Sequence, residues 1–202
     1  MIPRLSNSLA FLSSETAHLL TLIPHNKDMW DKPPDDIIKG LKANIRSQLL
    51  TNQNDICGYC GLDLGGTSEG QIEHIARKAK YPQFTFEREN LVMACHYCNG
   101  FSKKGNHNTI ETLNAIYNNC TFKLVHPYFD DPSLHYEWIA NDKKIIIKGI
   151  STKGLYSIGI FGLDEPKMTE LRGKKVIADI VIANTTTPQI DDTLIQSIIN
   201  YK

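Results

Sequence analysis

Two Cys-x-x-Cys pairs constrain this chain more than anything else in it. Cys57-Gly58-Tyr59-Cys60 is the first and Cys95-His96-Tyr97-Cys98 the second, with residues 61–94 between them. Where thiols stay reduced, such pairs bind metal more often than they form disulfides. Four thiolates meet the tetrahedral demand of Zn²⁺, each sulfur about 2.3 Å from the metal. They also close its coordination sphere, so the expected site is structural and leaves no position for a reacting water. Metal binding of this kind supplies on the order of 10–16 kcal/mol to folding, comparable to the stability of a whole domain. The ion would pin the two pairs together and turn residues 61–94 into a closed loop. His96 is not needed as a ligand, and Cys120 reads as a small buried hydrophobe.

At 202 residues the chain suits one medium domain, or a small one with elaborations. Its 22 basic and 22 acidic side chains cancel, so it lacks the strongly basic footprint of an autonomous nucleic-acid binder. Any such contact must come from a local patch or a partner. No apolar run is long enough to span a bilayer. The N-terminus is broken by Ser, Asn, Glu, Thr and His and does not read as a secretory signal, so the expected location is the cytoplasm, with no membrane association.

Three zones are expected. Residues 1–50 read as a helical region packing on the middle zone. "SNSLAFLSSETAHLLTLI" carries a helical apolar pattern. After Pro33 and Pro34, Asp35 or Asp36 caps a helix with Ile37, Ile38, Leu41, Ile45 and Leu49 on one side. Residues 51–120 hold the motifs, with short strands at "QIEHIA" and "NLVMAC", a helix beginning in "HYCNGFSKKG", and another over "NTIETLNAIYNN". Residues 121–202 read as a mixed α/β elaboration and candidate partner interface. They hold a strand in "KKIIIKGI", a helix opened by Asp164 and Pro166, and a last helix after Pro188. His126 and His135 lie near Asp130 and Asp131 and are read as turn and packing residues, not as a second metal site.

The loop between the thiols holds Glu73, His74 and Asn90, and Asn99 comes directly after Cys98. Hydrolysis of a phosphodiester needs a base to take a proton from water and a positive centre to stabilise charge on the phosphate. A neutral imidazole suits the first task near pH 7. A carboxylate with an amide oxygen can hold Mg²⁺ or Mn²⁺ for the second. Adjacent residues of a regular strand point to opposite faces. Glu73 and His74 therefore flank one phosphate only if the strand bends or frays there.

"CGYC", "IEHI", "ENLVMAC" and "CHYCN" followed by "KKG" together resemble the HNH (ββα-metal) endonucleases with a four-cysteine zinc knuckle. Within that family the chain is similar to the small HNH proteins of Septu-type and retron-linked anti-phage systems, which work with an ABC-like ATPase. "ANIRSQLLTNQNDICGYCG" and "HPYFDDPSLHYEW" extend the likeness beyond the core. The resemblance implies an α+β fold with a small ββα-metal core. It makes His74 the general base, Glu73 and Asn99 the ligands of a catalytic Mg²⁺ or Mn²⁺, and Asn90 the residue that ties the loop and orients His74. Lys103 or Lys104 would neutralise a phosphate, and His107 is a fallback metal ligand. Two departures stand out. Many members have Asp where this chain has Glu73, and the spacing from Asn99 to the lysines is a residue or two long.

From Ile75 to Lys104 the basic residues Arg77, Lys78, Lys80, Arg88, Lys103 and Lys104 outnumber Glu87 and Glu89. Arg77, Lys78, Lys103 and Lys104 are the candidate backbone contacts, which carry no base-sequence information. Tyr81, Phe84 and Phe86 are read as the packed core of the loop. The substrate is expected to be nucleic acid, DNA ahead of RNA, with a partner supplying affinity or targeting. The competing class is a non-catalytic zinc adaptor or nucleic-acid-binding module.

Overall fold

The computed structural model describes residues 2–6, 8–65, 68–139 and 144–185. The helix expected after Pro188 lies outside them. No helix among the described residues is long and apolar enough to cross a membrane.

The fold is α+β and is organised around one antiparallel strand pair. β1 (Gly70–His74) runs against β2 (Leu91–Cys95), from Gly70 opposite Cys95 to His74 opposite Leu91. All five residues of β2 are buried. Side chains alternate across a strand, and here the two faces serve different cores. Leu91 and Met93 join Ile38, Leu41, Ile45 and Leu49, while Val92 and Ala94 join the four cysteines.

The first of these cores is made by α3 (Asp36–Asn52). Asp35 is its N-cap, its carboxylate accepting from the Ile38 amide at 2.9 Å. Ile38, Leu41, Ile45 and Leu49 are wholly buried along one face. Ile37, expected on that face, is 46 % exposed, because a residue one step before Ile38 is turned by about 100° around a 3.6-residue helix. Before α3 come α1 (Ser13–Thr21) and a short turn, α2 (Asp28–Asp31), which the sequence pattern did not mark. The helical pattern in the N-terminal stretch extends back to Ser6, yet residues 8–12 carry no regular structure. Leu5 and Leu9 are buried by packing on the core, and the Leu5 amide donates to the Pro127 carbonyl.

The second core extends into the C-terminal zone. After β2 come α4 (His96–Asn99) and a wide turn over Phe101–Gly105. β3 (Ile110–Thr112) pairs with β4 (Thr121–Phe122), and β5 (Tyr136–Ile139) with β6 (Ile146–Gly149). Next are α5 (Thr152–Phe161), capped by Ser151, and α6 (Pro166–Thr185). Tyr136, Ile147, Ile158, Phe161, Leu163 and Met168 share one core with Cys57, Val92 and Ala94.

"NTIETLNAIYNN" is not a helix: it forms β3 and a 3-10 turn, Tyr117–Asn119. Its apolar residues share no face, with Ile110 and Tyr117 buried and Leu113 and Ile116 exposed. Thr109 fixes the alternative, its hydroxyl donating to the Ile75 carbonyl while its own carbonyl accepts from Lys123.

Candidate functional site

The thiols converge. The Sγ atoms of Cys57, Cys60, Cys95 and Cys98 all lie within 4.8 Å of one another, and all four residues are buried. Zn–S bonds of about 2.3 Å require tetrahedral S–S edges of roughly 3.8 Å, and the Cys60–Cys95 edge is 3.9 Å. Local geometry presents the sulfurs inward. The Cys95 amide donates to Cys57 Sγ and the Cys98 amide to Cys95 Sγ. Gly58 lies so close to β2 that a Cβ would sit 2.3 Å from Val92 Cγ2, so only glycine fits there. Without a cation these thiols cannot all ionise. Hydrogen bonds from Cys57 and its neighbours hold Cys95 far below the usual range and push Cys60 and Cys98 up. A divalent ion removes that conflict, and the donor set fits zinc. His96 stays outside it and is exposed. Cys120 is a free, buried thiol outside the cluster.

Asn90, fully buried, stitches the loop to the exit of β1. Its Oδ1 accepts from the Ala76 amide at 2.6 Å, and its Nδ2 donates to the Ala76 and Phe84 carbonyls. Tyr117 Oη donates to the same Oδ1 and lies 3.0 Å from His126 Nε2. The protons are set by the partners. The Tyr128 amide can only donate, so His126 Nδ1 accepts it and Nε2–H donates to the tyrosine oxygen. Asn90→Ala leaves several of these groups unpaired in the core and is expected to cost about 3 kcal/mol, read as a lower denaturant midpoint.

Burial, and then the charge of Lys153, hold the His126 ring well below the ordinary histidine range. The unfolded chain protonates this residue near pH 6.5, so between pH 6.5 and the folded value it binds more protons than the native state. Stability therefore falls as pH falls, by up to about 1.4 kcal/mol per pH unit for one ring. With zinc in excess, His126→Asn is expected to flatten the decline in melting temperature between pH 7 and 5.

His74 ends β1 with its ring turned inward and 4 % exposed. Its Nε2 lies 3.0 Å from the Thr85 carbonyl, which can only accept. Nε2 therefore carries the proton, and the lone pair of the neutral ring is on Nδ1. Burial, and after it the charge of Lys78, holds the ring at about 3, below the usual value of 6.5. His74 and Glu73 both line a cavity of about 280 Å³ with Lys27, Asp31, Arg77, Lys78, Lys104 and Gly105. Burial raises Glu73 above the ordinary carboxylate range against the pull of Lys104.

The long spacing after Asn99 has a structural outcome. Lys104 is 2 % exposed; its ammonium is ion-paired with Glu73 Oε1 and donates to the His74 carbonyl. It is thus an internal cation at the cavity wall. A metal ion taken up by Glu73 Oε1 would have to displace or share it with the Lys104 ammonium. Lys103 instead pairs with Glu165, and Lys78 with Asp31. Asn99 does not line the cavity: its Nδ2 donates to Gln71 Oε1 at 2.8 Å. Gln71 and Glu73 are two residues apart on β1 and so share a face. Asn99, one of the two residues expected to bind metal, is thus engaged by Gln71 on the strand face that also carries Glu73.

The basic residues do not form one patch. Arg77 and Lys78 line the cavity, Lys80 lies over the Tyr81 ring, and Arg88 over the Phe11 ring. Tyr81, Phe84 and Phe86 are buried in the loop. Asp130 pairs with Lys153 and accepts from the His126 amide, while His135 Nδ1 lies 2.7 Å from Ser151 Oγ. The cysteine quartet is the one cluster of metal-ligating side chains among the described residues. Sequence reasoning missed Gln71, Thr85 and Trp30. Gln71 was legible from its two-residue spacing to Glu73, whereas nothing in the order of residues marks a carbonyl or a distant indole as a partner of His74.

Residues 57–106 match the family model described as HNH endonuclease. The chain is 29% identical over 188 residues to the Septu protein PtuB of Bacillus mycoides (strain KBAB4), covering 84% of this chain and 61% of that protein. It is also 29% identical over 92 residues to Protein ea31 of Escherichia phage lambda, covering 45% of this chain and 27% of that protein. The chain thus spans less than two thirds of the length of either relative.

Proposed function

We propose, from the match of residues 57–106 to the HNH endonuclease family model, a divalent-metal-dependent nuclease that hydrolyses nucleic-acid phosphodiesters, DNA first. We assign it to phage defence alongside an ABC-like ATPase. The observation that carries the chemistry is the state of His74: a neutral ring, proton fixed on Nε2 by the Thr85 carbonyl, beside a cavity walled by Glu73 and Lys104. The likeness to a Septu protein over most of the chain supports the biological setting.

In this reading His74 Nδ1 takes a proton from water as its oxygen attacks phosphorus, and the bond from phosphorus to the leaving oxygen breaks. Asn90 and the Thr85 carbonyl keep the ring oriented through that transfer. Lys104 and Arg77 offset charge on the phosphate. Glu73 and Asn99 would hold Mg²⁺ or Mn²⁺, with Gln71 a further oxygen donor. Such an ion, when bound, stabilises negative charge on the phosphoryl and leaving oxygens. The zinc quartet takes no part in the reaction and holds the loop that carries the base.

The adaptor reading draws on one observation: Glu73 is already paired with Lys104 and Asn99 with Gln71. Cleavage assays on plasmid DNA and RNA with Mg²⁺ or Mn²⁺, with and without the ATPase, separate the two. Metal-dependent products that EDTA abolishes and added Mn²⁺ restores are expected. Intact substrate in every format, with zinc content verified, would favour the adaptor.

A further inference from the structure

We propose that α2, which lies outside residues 57–106, is part of the catalytic centre, and that Trp30 is a positioning residue for His74. The inference rests on the nuclease reading and adds a residue to it.

A ring held by one hydrogen bond is fixed at one point. The bond from His74 Nε2 to the Thr85 carbonyl sets the tautomer, but the ring plane needs a second contact. Trp30 supplies it. Its ring centroid is 4.6 Å from that of His74, with the planes 85° apart, which is the favoured edge-to-face arrangement of aromatic pairs. Trp30 is itself held firmly. It is 7 % exposed and packs on Phe86 at 5.8 Å. Lys42 Nζ lies 5.0 Å over its ring and donates to its carbonyl at 2.6 Å.

The same short element reaches the cavity directly. Lys27, just before α2, and Asp31, its last residue, line the cavity with Glu73, His74 and Lys104. Asp31 Oδ1 is 3.2 Å from Lys78 Nζ, which ties α2 to the loop that carries the basic residues. The N-terminal zone therefore does more than cover a hydrophobic face. It walls the site and fixes the plane of the proposed base. Because a small misplacement of a reacting group costs far more in rate than in binding, the loss on removing Trp30 belongs in kcat.

The test compares wild type, His74→Ala, Trp30→Leu and Trp30→Phe for kcat, KM and melting temperature on one cleavable substrate. Leucine keeps apolar bulk but has no ring, whereas phenylalanine keeps the edge-to-face contact. Trp30→Leu is expected to lower kcat about 10-fold or more, with KM within about 3-fold. Trp30→Phe is expected to recover most of that kcat at a similar melting temperature. Should Trp30→Leu not fold, Lys42→Met, which loosens Trp30 but leaves its ring in place, carries the test with a kcat loss of about 3-fold. Cleavage lost in His74→Ala but untouched in Trp30→Leu or, where that fails to fold, in Lys42→Met, overturns this inference and leaves the nuclease reading standing. Equal losses in the leucine and phenylalanine variants that track melting temperature overturn it too. A wild-type chain that cleaves nothing overturns both.

Discussion

His74→Ala is expected to abolish cleavage while zinc content and the secondary-structure signal stay at wild-type values. A positioned general base contributes about 10²–10⁴-fold in rate, so residual activity is expected at or below about 1% of wild type. Alanine leaves a space beside Trp30 and removes one hydrogen bond to the Thr85 carbonyl, so some stability is lost as well. Activity is therefore compared at a temperature where both proteins are fully folded, with KM and kcat measured separately. A base acts in the transition state and its loss lowers kcat; a ring that only supports substrate binding would raise KM instead. A variant that cleaves at the wild-type rate would remove His74 from the mechanism.

The second large effect concerns the cysteine quartet. Cys98→Ser is expected to cost most of the zinc and to unfold the middle of the chain. Removing one of four thiolates forfeits a large part of a binding energy on the order of 10 kcal/mol, against a total domain stability of about 5–15 kcal/mol. Cys95 and Cys98 sit at the junction of β2 and α4 and pack in the core that includes Tyr136 and Phe161. Loss of the ion should therefore spread into the C-terminal elements rather than fray one loop. Zinc stoichiometry by elemental analysis and the thermal transition of the purified variant check this. Full zinc occupancy with an unchanged transition would mean the four sulfurs are not the ligand set.

Cys120→Ser, by contrast, changes a thiol that stands apart from the quartet and, among the described residues, bonds to the turn at Asn114 and Ile116. It serves as a control for cysteine substitution in general.

Much of this was legible where chemistry is written in spacing. The two cysteine pairs required a common point, β1 and β2 were marked by short β-rich runs, and the proline pair with Asp35 marked the start of α3. What escaped was set by tertiary contacts. "NTIETLNAIYNN" has helix-favouring residues, but Thr109 is drawn to Ile75 and Tyr117 to Asn90, and packing overrides propensity. No element was expected at α5, whose two internal glycines, Gly154 and Gly159, weaken the helical signal in the sequence. In the site, Glu73, His74 and Asn90 were each marked by type and order. The choice between Lys103 and Lys104 was not, because it depends on how the Phe101–Gly105 turn rotates each side chain. Nor did the sequence mark the hydrogen bond from Asn99 to Gln71, which lies away from the cavity lining.

The two-sided burial of β2 bears on how the protein can be dissected. Leu91 and Met93 face α3 on one side, and Val92 and Ala94 face a core shared with α5 and α6 on the other. A fragment trimmed to residues 57–106 would keep all four sulfurs and His74 yet expose both faces of its central strand to solvent. Zinc alone cannot shield those apolar side chains, so such a minimal nuclease would aggregate, and useful truncations must begin before α2 and extend into α6.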